Sequence, residues 1–315
     1  MKIGIVGAGA MGSLFGGRLS QAGHEVLLYD IFREHVETIQ RDGLLIEDLA
    51  SGKQEVCHPG ATTKAEGLED AEILVIFVKS AATEAVARQF SEIVGPGTIA
   101  VTVQNGLGNE GILKEHFGPE RTAAGVTSQG ATFLAVGRIR HAGRGPTHLC
   151  MSDRNNEKLG GFVDALNRAG LETDLEENID DLIWSKLIIN VGINALTALT
   201  GLPNGRLLDF SDCKTLMEDL VAEAVTVAER KGVHLTYADP LQMVYQVAEK
   251  TGGNRSSMLQ DFDRQRRSEI DFINGAIVRE AETEGLEVPV NRAVTLLVRV
   301  LDSIHAEQLQ GGGQG

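Results

Sequence analysis

The sequence predicts an α/β domain on a mostly parallel, doubly wound sheet, followed by an all-helical domain. Three observations carry this. The first thirty residues run strand, glycine-rich turn, helix, strand. Two later runs, 73–78 and 98–103, are almost wholly apolar, as strands covered on both faces are. From about residue 178 strand-like runs cease and long helical patterns take over.

Residues 2–6 form a short apolar run. Gly7-Ala8-Gly9-Ala10-Met11-Gly12 follows, then a helical pattern through Leu14, Phe15, Leu19 and Ala22 that Gly23 ends, then a strand at 25–29. A lone GxGxxG says little, but here the strand before it and the helix after it are both present. In that setting Gly7 permits the tight turn and Gly9 lets the backbone approach a pyrophosphate. Gly12 lets the helix pack on the strand, and the first helical N–H groups receive the phosphate charge. Gly7, Ala8, Gly9, Ala10, Met11 and Gly12 are thus candidate contacts of a dinucleotide, and the domain is of the Rossmann type. Asp30 closes the second strand, 18 residues past Gly12. An acid there accepts bonds from the adenosine ribose hydroxyls and repels a 2′-phosphate; the plainer reading is a loop aspartate at a strand end. Arg33 lies close enough to meet such a phosphate.

The runs at 73–78 and 98–103 are further parallel strands, with helical patterns such as 82–93 between them, and 123–128 reads as a sixth strand. Residues 130–149 alternate and carry Gly137, Gly143, Gly145 and Pro146, which reads as an antiparallel hairpin on the sheet edge. A helix at 156–169 returns before the domain ends. Lys79 and Asn105 each follow the carboxyl end of a parallel strand, the ligand edge of such a sheet. A surface lysine and a simple Asn-Gly turn are the alternatives. Helical patterns then cover 178–200, 206–231, 239–250, 259–284 and 291–307. The expected organisation is a dinucleotide-binding domain at 1–177, a helical substrate and catalytic domain at 178–310, and a disordered glycine-rich tail at 311–315.

The first helix of the second domain carries IWSKLIINVGINALTAL, in which Lys186, Asn190 and Asn194 are polar among core-type residues. Steps of four drift by only about 40° each, so the three share one face. Burying a lysine there is costly unless something uses it; the alternative is a lysine snorkelling to the surface. Its position just past a domain boundary is where ligands usually lie. Further on, Asn254 and Ser257 stand among several hydrogen-bond donors before a helix, where Ser257 can equally be an N-cap. Glu269 and Asp271 read either as functional carboxylates or as a solvated acidic face.

Composition bounds the rest. The chain has 315 residues, a formal charge of −15, 42% hydrophobic residues and 7 prolines, which is globular material for about two domains. The negative charge argues against nucleic acid or an anionic membrane as a main partner. Three cysteines, 57, 150 and 213, are scattered without metal or disulfide spacing and read as reduced thiols. No ligand cluster for a metal is visible. There is no signal-peptide pattern and no apolar run near the roughly 18 residues of a membrane span, so the expected location is cytoplasmic.

The pieces together resemble the ketopantoate reductase (2-dehydropantoate 2-reductase) family: GAGAMG at 7–12, VKS at 78–80, QNG at 104–106, SKLIIN with NALTA over 184–198, SSMLQD at 256–261, EIDFINGAIV at 269–278, and the ending at 285–291. The likeness spans residues 1 to about 301. It implies reduction of ketopantoate to pantoate by NAD(P)H, in pantothenate and coenzyme A biosynthesis. It implies Lys186 as general acid with Glu269 as its catalytic partner. Asn190, Asn194, Asn254 and Ser257 would line the substrate pocket, and Lys79 and Asn105 would face the cofactor. The chemistry agrees: hydride delivery to a 2-keto carbon leaves negative charge on the carbonyl oxygen, and a lysine ammonium stabilises and protonates it. One departure stands out. Many family members carry an arginine just after the second strand, where this chain has Ile31 preceded by Asp30. That favours NADH over NADPH. It also leaves open an NAD-dependent D-2-hydroxyacid dehydrogenase acting on C3-branched 2-keto acids, as D-mandelate dehydrogenase does. A non-catalytic dinucleotide sensor is the more remote alternative. The expected partner is a small 2-keto acid, and the long helices leave room for a homodimer.

Overall fold

A computed structural model describes residues 1–153 and 156–311. They form two compact units, Met1–Gln104 with Asn109–Ile179, and Asn105–Gly108 with the chain from Asp180 onward. The segment Asn105–Gly108, read from sequence as part of the N-terminal domain, thus packs with the helical unit.

The first unit opens with β1 (Lys2–Val6), α1 (Ala10–Gln21), β2 (Glu25–Tyr29) and α2 (Arg33–Asp42). Three short strands follow, β3 (Leu44–Asp48), β4 (Gln54–Cys57) and β5 (Gly60–Thr62). Then come β6 (Ile73–Ile76), α3 (Thr83–Ile93), β7 (Ile99–Thr102), α4 (Asn109–Phe117) and β8 (Thr122–Thr127). The unit closes with β9 (Gly130–Ala135), β10 (Arg138–Gly143), β11 (Thr147–Met151), α5 (Glu157–Arg168) and β12 (Thr173–Leu175). The main sheet has eight strands in the order β12-β11-β8-β7-β6-β1-β2-β5. All its pairings are parallel except β11 against β8. β6 and β7 are buried at every residue, which explains their nearly continuous apolar runs. One face is covered through Leu14, Phe15, Leu19 and Phe162 of α1 and α5, the other through Phe90, Leu113 and Phe117 of α3 and α4.

The hairpin expected at 130–149 on the edge of this sheet is divided differently. β9 and β10 pair with each other in a second sheet of order β4-β3-β10-β9, and β11 alone returns to the main sheet. The division has a physical reason. Leu44, Ile46 and Ile139 of the small sheet share a core with Leu14 and Phe15 of α1, so the pair covers α1 rather than extending the edge.

The second unit is helical: α6 (Asp180–Thr200), α7 (Ser211–Arg230), α8 (Pro240–Lys250), α9 (Ser257–Asp263), α10 (Asn274–Glu284) and α11 (Pro289–Gly311). The pattern at 206–231 is a 3-10 turn, Asn204–Asp209, followed by α7. The single helix expected at 259–284 is broken. α9 ends at Asp263, Gln265 takes a left-handed φ of 51°, and a 3-10 turn, Ile270–Phe272, precedes α10. α6 is long and apolar enough to cross a membrane, contrary to the reading that no such run exists. However, 67% of its most apolar window is buried within the chain, as in a core helix. Of the tail expected at 311–315, residues 312–315 lie outside the described residues, and Gly311 closes α11. The three cysteines form no disulfide.

Candidate active site

The site residues fall into two groups, one in each unit. In the first unit, Gly7 has a φ of 98°, a conformation that L side chains rarely adopt, and its N–H donates to the Tyr29 carbonyl at 2.9 Å. A side chain at Gly12 would place Cβ 1.9 Å from the Gly7 carbonyl oxygen, so only glycine lets α1 start this close to the strand. At Gly9, by contrast, an added Cβ would meet nothing within 4 Å. The loop is therefore closed at its ends and open at its middle, beside the unbonded first N–H groups of a 12-residue helix. That shape and donor set fit a pyrophosphate.

Asp30 has a role that sequence reasoning missed. Its carboxylate accepts the Ala8 N–H at 2.7 Å and the Phe32 N–H at 2.8 Å. It ties the end of β2 to the glycine loop and keeps further lone pairs for a ribose. Ile31 is 84% exposed beside it, and the Arg33 side chain is exposed, 3.9 Å from Glu37. Lys79 is exposed at the carboxyl end of β6, next to Val78, whose amide nitrogen would lie 2.7 Å from a Cβ at Gly7. Gln104 Nε2 donates to the Val78 carbonyl at 2.6 Å and to Thr83 Oγ1 at 3.0 Å. Thr83 donates to Asn109 Oδ1, and Asn109 Nδ2 donates to Ser80 Oγ. This buried chain sews together the ends of β6 and β7. Its members lie far apart in sequence and follow no local pattern that reveals them.

In the second unit, Lys186 and Asn190 are each partly buried on α6, and Asn194 is buried one turn further along. Burial drives the Lys186 pKa from 10.5 down to about 8, opposed by the Glu269 carboxylate, which favours the ammonium. Glu269 is 8% exposed and stands immediately before the 3-10 turn that precedes α10. Its neighbour Ser268 is pinned by Asp302 of α11, through its N–H at 3.0 Å and its Oγ at 2.7 Å. The break between α9 and α10 leaves Glu269 at the head of this turn, and its carboxylate acts electrostatically on Lys186. The loop of Asn105 joins the same turn. Leu107 N–H donates to the Phe272 carbonyl at 2.9 Å, and a Cβ at Gly106 would sit 2.3 Å from that oxygen.

Asn194 Nδ2 lies 3.4 Å from Ser257 Oγ. The helix cap of α9 is Ser256, not Ser257: its Oγ accepts the Leu259 N–H at 3.1 Å. Ser257 is thereby left to face Asn194. Asn254 is exposed, and its carbonyl accepts the Asn204 N–H. Behind α6, buried Asn274 donates to the Val191 carbonyl at 3.3 Å and to Asn291 Oδ1 at 3.0 Å. Asn291 is in turn held by Glu223, which fixes α6, α7, α10 and α11 to one another. Among the described residues, no group of three His, Cys, Asp or Glu side chains is arranged to hold a metal ion.

Comparison with known proteins covers both halves. Residues 3–153 match the family described as Ketopantoate reductase PanE/ApbA, and residues 178–302 match its C-terminal domain. A 2-dehydropantoate 2-reductase of Pyrococcus horikoshii is 36% identical over 314 residues, covering 99% of each chain. A crystal structure of a PanE/ApbA family ketopantoate reductase from Ralstonia eutropha is 32% identical, with a TM-score of 0.90 over 97% of this chain and 100% of that one. A D-mandelate dehydrogenase in a ternary structure with NADH and anilino(oxo)acetate is 28% identical. Its TM-score is 0.88, again over 97% and 100%.

Proposed function

The chain belongs to the ketopantoate reductase family, and on that premise we propose that it reduces 2-dehydropantoate to pantoate with a reduced nicotinamide dinucleotide. The observation that carries the reading is Lys186: a partly buried lysine on an apolar helix, under the influence of Glu269 and with its pKa lowered to about 8. A donor of that pKa is protonated at neutral pH yet close enough to it to give the proton up. When bound, a reduced dinucleotide would supply the hydride. Gly7, Ala8, Gly9, Ala10, Met11 and Gly12 would hold its pyrophosphate and Asp30 its ribose, and Lys79 and Asn105 are each proposed to face it. Lys186 faces the keto oxygen, stabilises the charge that develops there and delivers the proton. Glu269 keeps the ammonium charged and accepts from the substrate hydroxyl. Asn190, Asn194, Asn254 and Ser257 are the neutral donors for the carboxylate and hydroxyl.

NADH is the proposed coenzyme. Asp30 stands where a 2′-phosphate would be repelled, and Ile31 stands where many relatives carry an arginine. The same pair of residues supports one further reading, a dehydrogenase for other branched 2-keto acids of the D-mandelate type. Steady-state rates with ketopantoate, 2-ketoisovalerate and benzoylformate, each with NADH and NADPH, separate the two. The highest kcat/KM with ketopantoate supports the reductase. The highest value with benzoylformate replaces it with the second reading.

A further inference from the structure

His35 is 1% exposed in the first turn of α2, and nothing in the proposed chemistry uses it. Its Nδ1 accepts the N–H of Gly137, from the turn between β9 and β10, at 2.9 Å. A nitrogen that accepts carries no proton, so the ring is the neutral tautomer with hydrogen on Nε2. Burial acts in the same sense and lowers its pKa, with the Asp30 carboxylate and the ring's hydrogen bond to the Ala8 backbone opposing. Nε2 lies 3.3 Å from Ser13 Oγ, and Ser13 Oγ donates to the Ala8 carbonyl at 2.8 Å. Every direction in this chain is fixed. Gly137 N–H donates to His35, His35 Nε2–H to Ser13, and Ser13 O–H to the Ala8 carbonyl.

The Ala8 carbonyl and the Gly9 N–H belong to one trans peptide and point opposite ways. Holding the carbonyl inward on buried Ser13 therefore turns the Gly9 N–H outward, at the open middle of the glycine loop. The preceding peptide is fixed independently by Ala8 N–H on Asp30. We propose that His35 is a positioning residue for the dinucleotide: through Ser13 it locks the Ala8–Gly9 peptide with its N–H aimed at the pyrophosphate. It also ties that loop to the small sheet through Gly137. This rests on the proposed binding of a dinucleotide at Gly7–Gly12.

The test is a set of NADH dissociation constants for wild type, His35→Phe, His35→Gln and Ser13→Ala, with the keto-acid KM measured alongside. Phenylalanine keeps the ring against Phe133, whose centroid is 4.9 Å away, but removes both hydrogen bonds. Glutamine keeps one acceptor and one donor. His35→Phe should weaken NADH roughly tenfold, the size of one lost net hydrogen bond. His35→Gln should recover most of that, Ser13→Ala should weaken NADH in the same sense, and the keto-acid KM should stay unchanged. Equal losses in the Phe and Gln variants would overturn the proposal, as would unchanged NADH affinity in Ser13→Ala, which decides the matter if His35→Phe does not fold. Wild type that binds neither NADH nor NADPH would overturn the reading of the glycine loop itself. Wild type that binds while the variants match it would overturn only the role of His35.

Discussion

Replacing Lys186 by methionine should make the protein more stable while removing its chemistry. Methionine is an unbranched apolar side chain that stands in for the uncharged lysine. A pKa lowered from 10.5 to about 8 means that the native environment disfavours the ammonium, Glu269 included, by about 3 kcal/mol. Below pH 8 both native and unfolded lysine are charged, so the whole penalty is present. Between about 8 and 10.5 the native lysine sheds its proton first, the unfolded chain binds more protons, and wild-type stability rises. Above 10.5 the penalty is gone. The advantage of Lys186→Met should therefore be about 3 kcal/mol near pH 7 and shrink toward zero by pH 10.5. The assay is built in. Trp184, the chain's one tryptophan, is buried in α6, so its fluorescence during urea unfolding follows the helical unit. A destabilised variant, or an advantage that does not change with pH, would refute the claim that Lys186 is a desolvated cation.

Four other expectations can be checked on purified protein. The kcat/KM for keto-acid reduction should be level below pH 8 and fall about tenfold per pH unit above it, because the proton donor is lost, while oxidation of the 2-hydroxy acid should rise over the same range. Asp30→Ala should narrow the preference for NADH over NADPH and weaken both, since the Ala8 and Phe32 N–H groups lose their acceptor; an unchanged ratio of the two kcat/KM values would remove Asp30 from coenzyme choice. Ser257→Ala should raise the keto-acid KM without changing that of the coenzyme. Its neighbour Ser256→Ala should instead lower thermal stability by about 1–2 kcal/mol and leave both KM values alone, since it loses the cap on Leu259 and the buried bond to Thr197 of α6.

Local features made much of this readable from the chain. The glycine loop announces itself because strand, turn and helix lie within thirty residues, and Gly7 and Gly12 are required by contacts that act over a few ångströms. The polar line of Lys186, Asn190 and Asn194 is visible because helical periodicity places them on one face. What escaped is non-local. No Gly or Pro marks the break at 264–273, where Gln265 is left-handed and the chain is held by Ser268 on Asp302, which lies 34 residues away. β9 and β10 alternate like any edge hairpin, and only the shared core with Leu44 and Ile46 shows which sheet they join. Asn105–Gly108 packs with the helical unit because of the Phe272 carbonyl, a contact spanning 165 residues that periodicity cannot register. His35 and Gly137 are likewise 102 residues apart.

The central claim is that this chain reduces ketopantoate with Lys186 as the proton donor. It is tested most directly by mixing ketopantoate with wild type and with Lys186→Met, each carrying bound reduced dinucleotide at neutral pH, and following dinucleotide oxidation and pantoate together. One pantoate should form per dinucleotide oxidised by wild type, and the variant should be slower by about 10²–10⁴, the worth of a positioned general acid. A variant that turns over like wild type, or a wild type that holds the dinucleotide and leaves ketopantoate unreduced, would contradict it.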